Sequence, residues 1–453
     1  MTPWTSDLTG ALVLAGGFVL LLILAESWSR LANPNPELPR KLVHTAGGVG
    51  CLFFPFLVQS PWVVLALALG MCVLFALGGQ LKFLRCLHSV TRRSRGSEYY
   101  PLAIFLVYLA SYGRPWLHVA SILVLALADA SAALIGSQYG RLRYTVENEK
   151  KSLEGSLVFL VVAFLAIHLP TLLMTDLPRP VCVLAALLVA LLVTGFEVVS
   201  LHGADNLFVP LGVCVILDRI TGKPLGEIAY QNASLVVICA VLGIVARRAR
   251  TFNVGGTILV VLAVYGCWSL GGVEWALPML LGVVLFVASW TRRSAVAKRL
   301  GGVRVRVAAR ALSTPFVFLV AANASGRYAL FYGGFLASSA VVAALAYGKC
   351  VGIGVRSPAN HRRPVLLAEL LFCCVLVVGV PGAVLAATYG SVLTTVGVAA
   401  LSLFAVGLFQ RVRVRDGKAA WWRGSDSVTS LVAGLGVLGL QLLGVVSCWG
   451  IGE

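Results

Sequence analysis

Long apolar segments, separated by short polar or basic stretches, repeat from one end of the chain to the other. A run of about 18 residues is the length a helix needs to cross the hydrocarbon of a bilayer. A helix also satisfies its own backbone hydrogen bonds there, which an irregular chain cannot do. Read this way, the pattern predicts roughly 14 to 16 spans. In the first half they fall at 8–25, 42–58, 61–79, 100–112, 116–137, 153–169, 181–200 and 207–217. In the second half they fall at 226–245, 254–271, 274–291, 312–324, 328–347, 364–388, 389–409 and 427–449. Two of these, 207–217 and 312–324, are short for a full crossing, which predicts a re-entrant or strongly tilted segment. The expected fold class is all-α, a polytopic helical bundle integral to the membrane.

Composition agrees. Of 453 residues 59% are hydrophobic and only 12% charged, with a mean hydropathy of +0.92. A soluble domain carries about a quarter charged residues. The first run has no basic stretch before it and no small-residue cleavage pattern, so it reads as a retained span. The net charge of +18 raises nucleic acid as a partner, but the placement of the cations argues against it. With the N-terminus outside, the inner loops are 26–41, 80–98, 138–151, 246–250, 292–310, 348–363 and 411–423, and they hold 31 of the 36 Lys and Arg residues. That is the positive-inside pattern. The expected location is a bacterial inner membrane, with plastid and endoplasmic reticulum as alternatives. The 11 cysteines are scattered and form no CxxC pair or zinc spacing.

The two halves differ in kind. Residues 1–225 carry acids at or inside span ends: Glu26, Asp129, Glu154, Glu197 and Asp205. Residues 226–453 hold few acids and much Gly, Ala and Val. A boundary is expected near Gly226 or at the basic run Arg247–Arg250.

The chemistry concentrates in the first half. An ionisable residue within a span is costly and marks a site facing the bundle interior or a water cavity. Asp129 lies in such a span with no cation within one helical turn, so a metal, a ligand or another helix must satisfy it. Gly136 to Gly140 come after it as a polar loop. Then Lys150, Lys151 and Ser152 precede a new span. Two lysines before a helix start, with Ser152 as N-cap, favour an anion such as phosphate. Glu154 lies in the same first turn, where an acid beside phosphate calls for a bridging cation. Asp129 and Glu154 are therefore the expected Mg²⁺ carboxylates. Arg40, Lys41 and His44 open span 42–58 on the same face. Glu197 ends another span, and His202, Asp205, Asn206 and Pro210 come directly after it.

The run Asp129-x-x-Ala132-x-x-x-Gly136-x-x-x-Gly140, with Lys151-Ser-x-Glu154-Gly-Ser156 after it, resembles the CTP-dependent membrane lipid kinases. These include phytol, dolichol and diacylglycerol kinases. Arg40-Lys41-x-x-His44, Glu197 and Asp205-Asn206-x-x-x-Pro210 fall where that family carries similar patterns, and the likeness covers roughly residues 35–220. The resemblance implies transfer of the CTP γ-phosphate to a lipid alcohol with Mg²⁺. Asp129, Gly136, Gly140, Lys151, Glu154 and Gly155 match the nucleotide-binding stretch. Arg40, Lys150 and Lys151 would hold phosphates, and Glu197 or Asp205 would orient or deprotonate the alcohol.

In the second half, Thr251 to Gly256, Asn323 and Tyr332 to Phe335 faintly resemble the phytyl-phosphate kinase family. The acidic stretch expected after the glycine-rich span is missing, since residues 336–349 contain no Asp or Glu. This half is expected to be non-catalytic, with a scaffolding, lipid-binding or dimerising role. Two rivals remain open. A cytidylyltransferase would make a CDP-lipid, though the Lys-Asp step of that signature is absent. A transporter would use buried acids for ion coupling, though the halves show no matching interrupted spans.

Overall fold

The computed structural model describes residues 3–32, 34, 37–81, 96–147, 149–291, 302–353, 373–381, 398–402, 404–406 and 424–443. Among the described residues, ten helices are long and apolar enough to cross a membrane. The protein is an all-α polytopic membrane protein. Its chain divides into two compact units, Met1–Ala233 and Ser234–Glu453, the division falling inside the helix Leu225–Ala249.

The first unit opens with α1 (Pro3–Leu31) and α2 (Glu37–Cys51), then the single turn α3 (Phe54–Leu57) and α4 (Pro61–Leu81). The apolar run expected at 42–58 is therefore broken, α2 ending before Leu52 and Phe53. Asp7 of α1 explains part of the arrangement. Its carboxylate is buried and accepts the backbone N–H of Gln59 at 2.8 Å and of Ser60 at 3.0 Å, satisfying donors just before α4.

Next come α5 (Gly96–Ala110) and α6 (Pro115–Leu123). The five-residue π turn Val124–Ala128 continues directly into α7 (Asp129–Tyr139). Cys51, Phe54, Tyr100, Ile104, Ile122 and Leu125 form a core that packs α2, α3 and α5 around this turn.

The polar loop expected from Gly136 is instead the last turn of α7, and the inner loop expected at 138–151 holds a small antiparallel hairpin, β1 (Arg143–Val146) and β2 (Glu149–Ser152), with Tyr144 opposite Lys151. Burial alternates along β2 as the two faces of a strand require, with Glu149 and Lys151 half-buried on one face and Lys150 exposed on the other. Beyond it lie α8 (Leu153–Leu173), α9 (Arg179–Val199), α10 (Asp205–Thr221) and α11 (Leu225–Ala249). Small residues such as Cys182, Ala185, Ala186 and Ala190 are fully buried on α9. They allow the close approach on which helix packing in lipid depends.

In the second unit α12 (Val254–Gly271) is capped by Asn253, whose side chain accepts the Gly256 N–H at 2.7 Å. After it come α13 (Val273–Thr291), α14 (Val305–Ser325), α15 (Tyr328–Ile353) and α16 (Gly424–Leu442). Trp275 is fully buried against Tyr332 and Phe335, with ring centroids 5.1 and 4.7 Å away. The span expected at 312–324 is longer than the pattern suggests. Arg306 and Arg310 lie within a 21-residue helix rather than in a loop, since long basic side chains can keep their charge in water while their stems pack on apolar surface. The segments 364–388 and 389–409 fall largely outside the described residues.

Candidate active site

Ten ionisable residues of the first unit, Arg40, Lys41, His44, Asp129, Arg143, Glu149, Lys150, Lys151, Glu197 and Asp205 among the described residues, line one cavity of about 770 Å³ together with Tyr100. Such a volume is at the upper end of the range for small-molecule sites, which runs to about 1,000 Å³. Arg40, Lys41 and His44 reach it from α2, and Asp129 and Gly136 from α7. The hairpin and the start of α8 contribute Lys150, Lys151, Ser152 and Gly155, while Glu197, Asp205 and Asn206 come from the facing ends of α9 and α10.

Asp129 is satisfied by another helix. Lys41 Nζ lies 2.5 Å from its Oδ2, and both side chains are largely shielded. His44 Nε2 is 3.6 Å from the same oxygen and 2.9 Å from the backbone oxygen of Leu125. A carbonyl only accepts, so Nε2 carries the proton. Thr45 Oγ1 donates to the Ala126 oxygen at 3.2 Å. Two carbonyls of the π turn are thus taken by α2 side chains. A π turn adds a residue to the helical repeat and so rotates the helix beyond it. The first residue of that helix is Asp129. Tyr100 completes the joint by donating to the His44 backbone oxygen at 2.9 Å.

A second ion pair lies on another wall. Lys151 Nζ is 2.9 Å from Glu197 Oε1 and also donates to the Glu197 backbone oxygen. Burial pulls the Lys151 ammonium down. The charge of Glu197 and its hydrogen bond, helped by Asp205 and Glu149, more than reverse this, and the group titrates above the ordinary lysine value. Glu197 Oε2 is buried with no hydrogen-bond partner among the described residues. Asp205, at the start of α10, has its pKa raised to about 6. Burial is the main cause, the charge of Asp129 adds to it, Lys151 opposes it and Glu197 contributes.

Glycines set the spacing between α7 and α8. A side chain on Gly136 would come within 3.4 Å of the Gly155 Cα and 3.0 Å of Ser152 Oγ, and one on Gly140 within 2.7 Å of Ser152 Cβ. Gly140 does not line the cavity; it lets α7 end against the hairpin. Ser152 caps α8, its hydroxyl accepting the Gly155 N–H at 3.1 Å.

Glu154 does not line the cavity either. It is partly exposed, and its carboxylate accepts the backbone N–H of Arg141 at 2.9 Å and of Leu142 at 3.0 Å, holding the turn before β1. The structure therefore does not bring Glu154 to the same cavity as Asp129. Asn206 does face the cavity, yet its amide donates to the Gly96 oxygen at 3.0 Å and ties α10 to α5. The loop before α10 turns through His202 and Gly203 at positive φ, 58° and 84°, the second of which favours glycine.

Several cavity residues lie beyond those singled out in the sequence. Arg143 and Glu149 come from the hairpin, Tyr100 from α5, and Phe18 and Phe75 from α1 and α4. Strand alternation could have found Glu149, two positions before Lys151 on the same face. Nothing local to α1 or α4 marks the two phenylalanines.

A phytol kinase from Synechocystis sp. is 34% identical over 217 residues, which is 47% of this chain and 93% of that protein. No protein-family model matches the chain, and no solved structure does. With its helical membrane fold, its paired acids and lysines around one cavity, and this relative, the protein is a membrane kinase of lipid alcohols. The chain belongs to the phytol kinase family.

Proposed function

We propose that the first unit transfers the γ-phosphate of CTP to a prenol or related lipid alcohol, such as phytol, a polyprenol, dolichol or diacylglycerol, at the cytosolic face. The observation that carries this reading is the meeting of Arg40, Lys41, Lys150 and Lys151 with Asp129, Glu197 and Asp205 in one cavity. Phosphoryl transfer asks mainly for positioning and charge neutralisation, and these are the groups for both. The donor set suits Mg²⁺. Carboxylates plus substrate phosphates are its usual ligands, and Glu197 offers a buried oxygen with no partner among the described residues. Asp129 is the first ligand in this reading, with Glu197 as the second in place of Glu154. When bound, the ion would neutralise charge on the transferring phosphoryl group.

The chain's own residues do the remaining work. Lys41 and Lys151 exchange their carboxylate partners for phosphate oxygens. Asp205 accepts the hydroxyl proton of the alcohol. His44 and Thr45 hold the π turn and with it the direction of Asp129. The second unit serves as scaffold, lipid-binding surface or homodimer interface rather than as a catalyst.

The test is transfer of label from γ-labelled CTP to phytol, farnesol, a longer polyprenol or diacylglycerol by purified protein with Mg²⁺. Labelled lipid phosphate is the expected product. Absence of transfer to every one of these alcohols would reject the proposal. Release of pyrophosphate with a CDP-lipid would identify a cytidylyltransferase instead.

A further inference from the structure

The cavity has two chemically different walls. One is built from the ion pairs described above. The other is apolar and comes from three helices, with Phe18 of α1, Val43 of α2 and Phe75 of α4. Phe18 and Phe75 meet edge to face, their ring centroids 6.0 Å apart and their planes at 62°. Phe18 and Val43 pack with Leu22, Ala25 and Leu74 in one small core. Gly47 of α2 allows this approach, since a side chain there would come within 3.2 Å of the Phe18 ring.

This wall is thin. α1 is the least buried of the ten candidate spans, and Val19 and Leu20, next to Phe18, are about half exposed. On a membrane-spanning helix such a face looks into hydrocarbon. One helix layer therefore separates the acids and lysines from the acyl chains, and its inner surface is aromatic. A group with a hydroxyl at one end and a long hydrocarbon at the other matches both walls.

We infer that the hydrocarbon chain of the lipid alcohol lies against Phe18, Val43 and Phe75, and that the edge-to-face pair Phe18–Phe75 decides which chains are accepted. The inference rests on the kinase reading of this site and deepens it by locating the acceptor. Two interlocked rings offer a broad, rigid apolar surface. Removing one ring opens room beside the first few carbons of the chain while leaving the lysines and acids untouched.

The test compares Phe18→Ala and Phe75→Ala with wild type across prenols of increasing length, at saturating CTP, with the KM for CTP measured in parallel. The expected result is a change of about tenfold in the KM for the lipid, a changed ranking of chain lengths, and an unchanged KM for CTP. A prenol carrying a photoreactive diazirine near its hydroxyl gives a second readout on the wild-type protein. Its label should fall within Pro3–Leu31, Glu37–Cys51 or Pro61–Leu81. Unaltered lipid KM and ranking in both variants, or label confined to other helices, would overturn the inference. A wild-type protein that phosphorylates no alcohol would instead sink the kinase reading, and the photolabel would still decide where the chain lies. Should the alanine variants fail to fold, Phe18→Leu and Phe75→Leu carry the same comparison.

Discussion

Lys41 Nζ sits 2.5 Å from Asp129 Oδ2, joining two residues 88 positions apart. In the proposed reaction these two groups have different partners, phosphate for the lysine and Mg²⁺ for the acid. Binding of the metal–nucleotide complex is then an exchange of partners, which makes metal and nucleotide depend on one another.

Asp129→Asn should abolish this exchange. Phosphoryl transfer should fall by about a hundredfold to a thousandfold, the scale seen when a positioned charge-stabilising group is removed. Nucleotide without metal should bind the variant at least as tightly as wild type, because Lys41 is released. Label transfer and equilibrium binding, each with and without Mg²⁺, measure the two effects. Weaker metal-free binding in the variant would contradict partner exchange.

Glu154 lies outside the cavity on the turn before β1. Glu154→Gln keeps a side-chain acceptor for the Arg141 and Leu142 amides and leaves every cavity-lining group in place, so it should retain activity to within about tenfold. A loss as large as that of Asp129→Asn, with full membrane insertion, would restore Glu154 as a metal ligand.

The pair Lys151–Glu197 is shielded, each side chain about one-seventh exposed. Lys151→Met leaves the Glu197 charge without its counter-ion and should cost up to about 3 kcal/mol of stability. Adding Glu197→Gln should recover most of that stability while activity stays lost. Thermal unfolding in detergent, read beside label transfer, separates the two roles.

Asp205 has a pKa near 6, raised chiefly by burial and by the charge of Asp129. Below that pH the neutral acid predominates and cannot take the hydroxyl proton; above it the carboxylate can. The kcat/KM for CTP, which reports groups of the free enzyme, should therefore rise from pH 5 to pH 7 with a midpoint near 6. Asp205→Asn should lower the rate and flatten that limb. An unaltered midpoint in this variant would assign the titration elsewhere.

His44 reaches Leu125 O across the π turn. His44→Ala should lower kcat by about tenfold or more through misdirection of Asp129, with a smaller effect on the KM for CTP. A His44→Gln side chain, which can still donate to that carbonyl, should recover part of the loss. Equal damage in both variants would argue for a direct role of the imidazole.

The class of fold and the cast of the site are written in local pattern along the chain. Apolar runs long enough to cross a bilayer leave the backbone little choice but helices, because unpaired amides in hydrocarbon are too costly. Asp129 stands out for the same reason, as a charge where none is tolerated without purpose. The lysines before α8 and the cap at Ser152 are legible in the same local way.

The packing of the helices decided the rest. Which cation answers Asp129 depends on where α2 crosses the π turn, and no spacing in the sequence encodes that crossing. The placement of Glu154 outside the cavity is due to the hairpin, which pulls the 141–142 amides onto its carboxylate. Phe18 and Phe75 belong to ordinary apolar helices until the packing of α1, α2 and α4 sets them against the acids. Local pattern reports what a residue needs, but only the packing of distant helices reports what it receives.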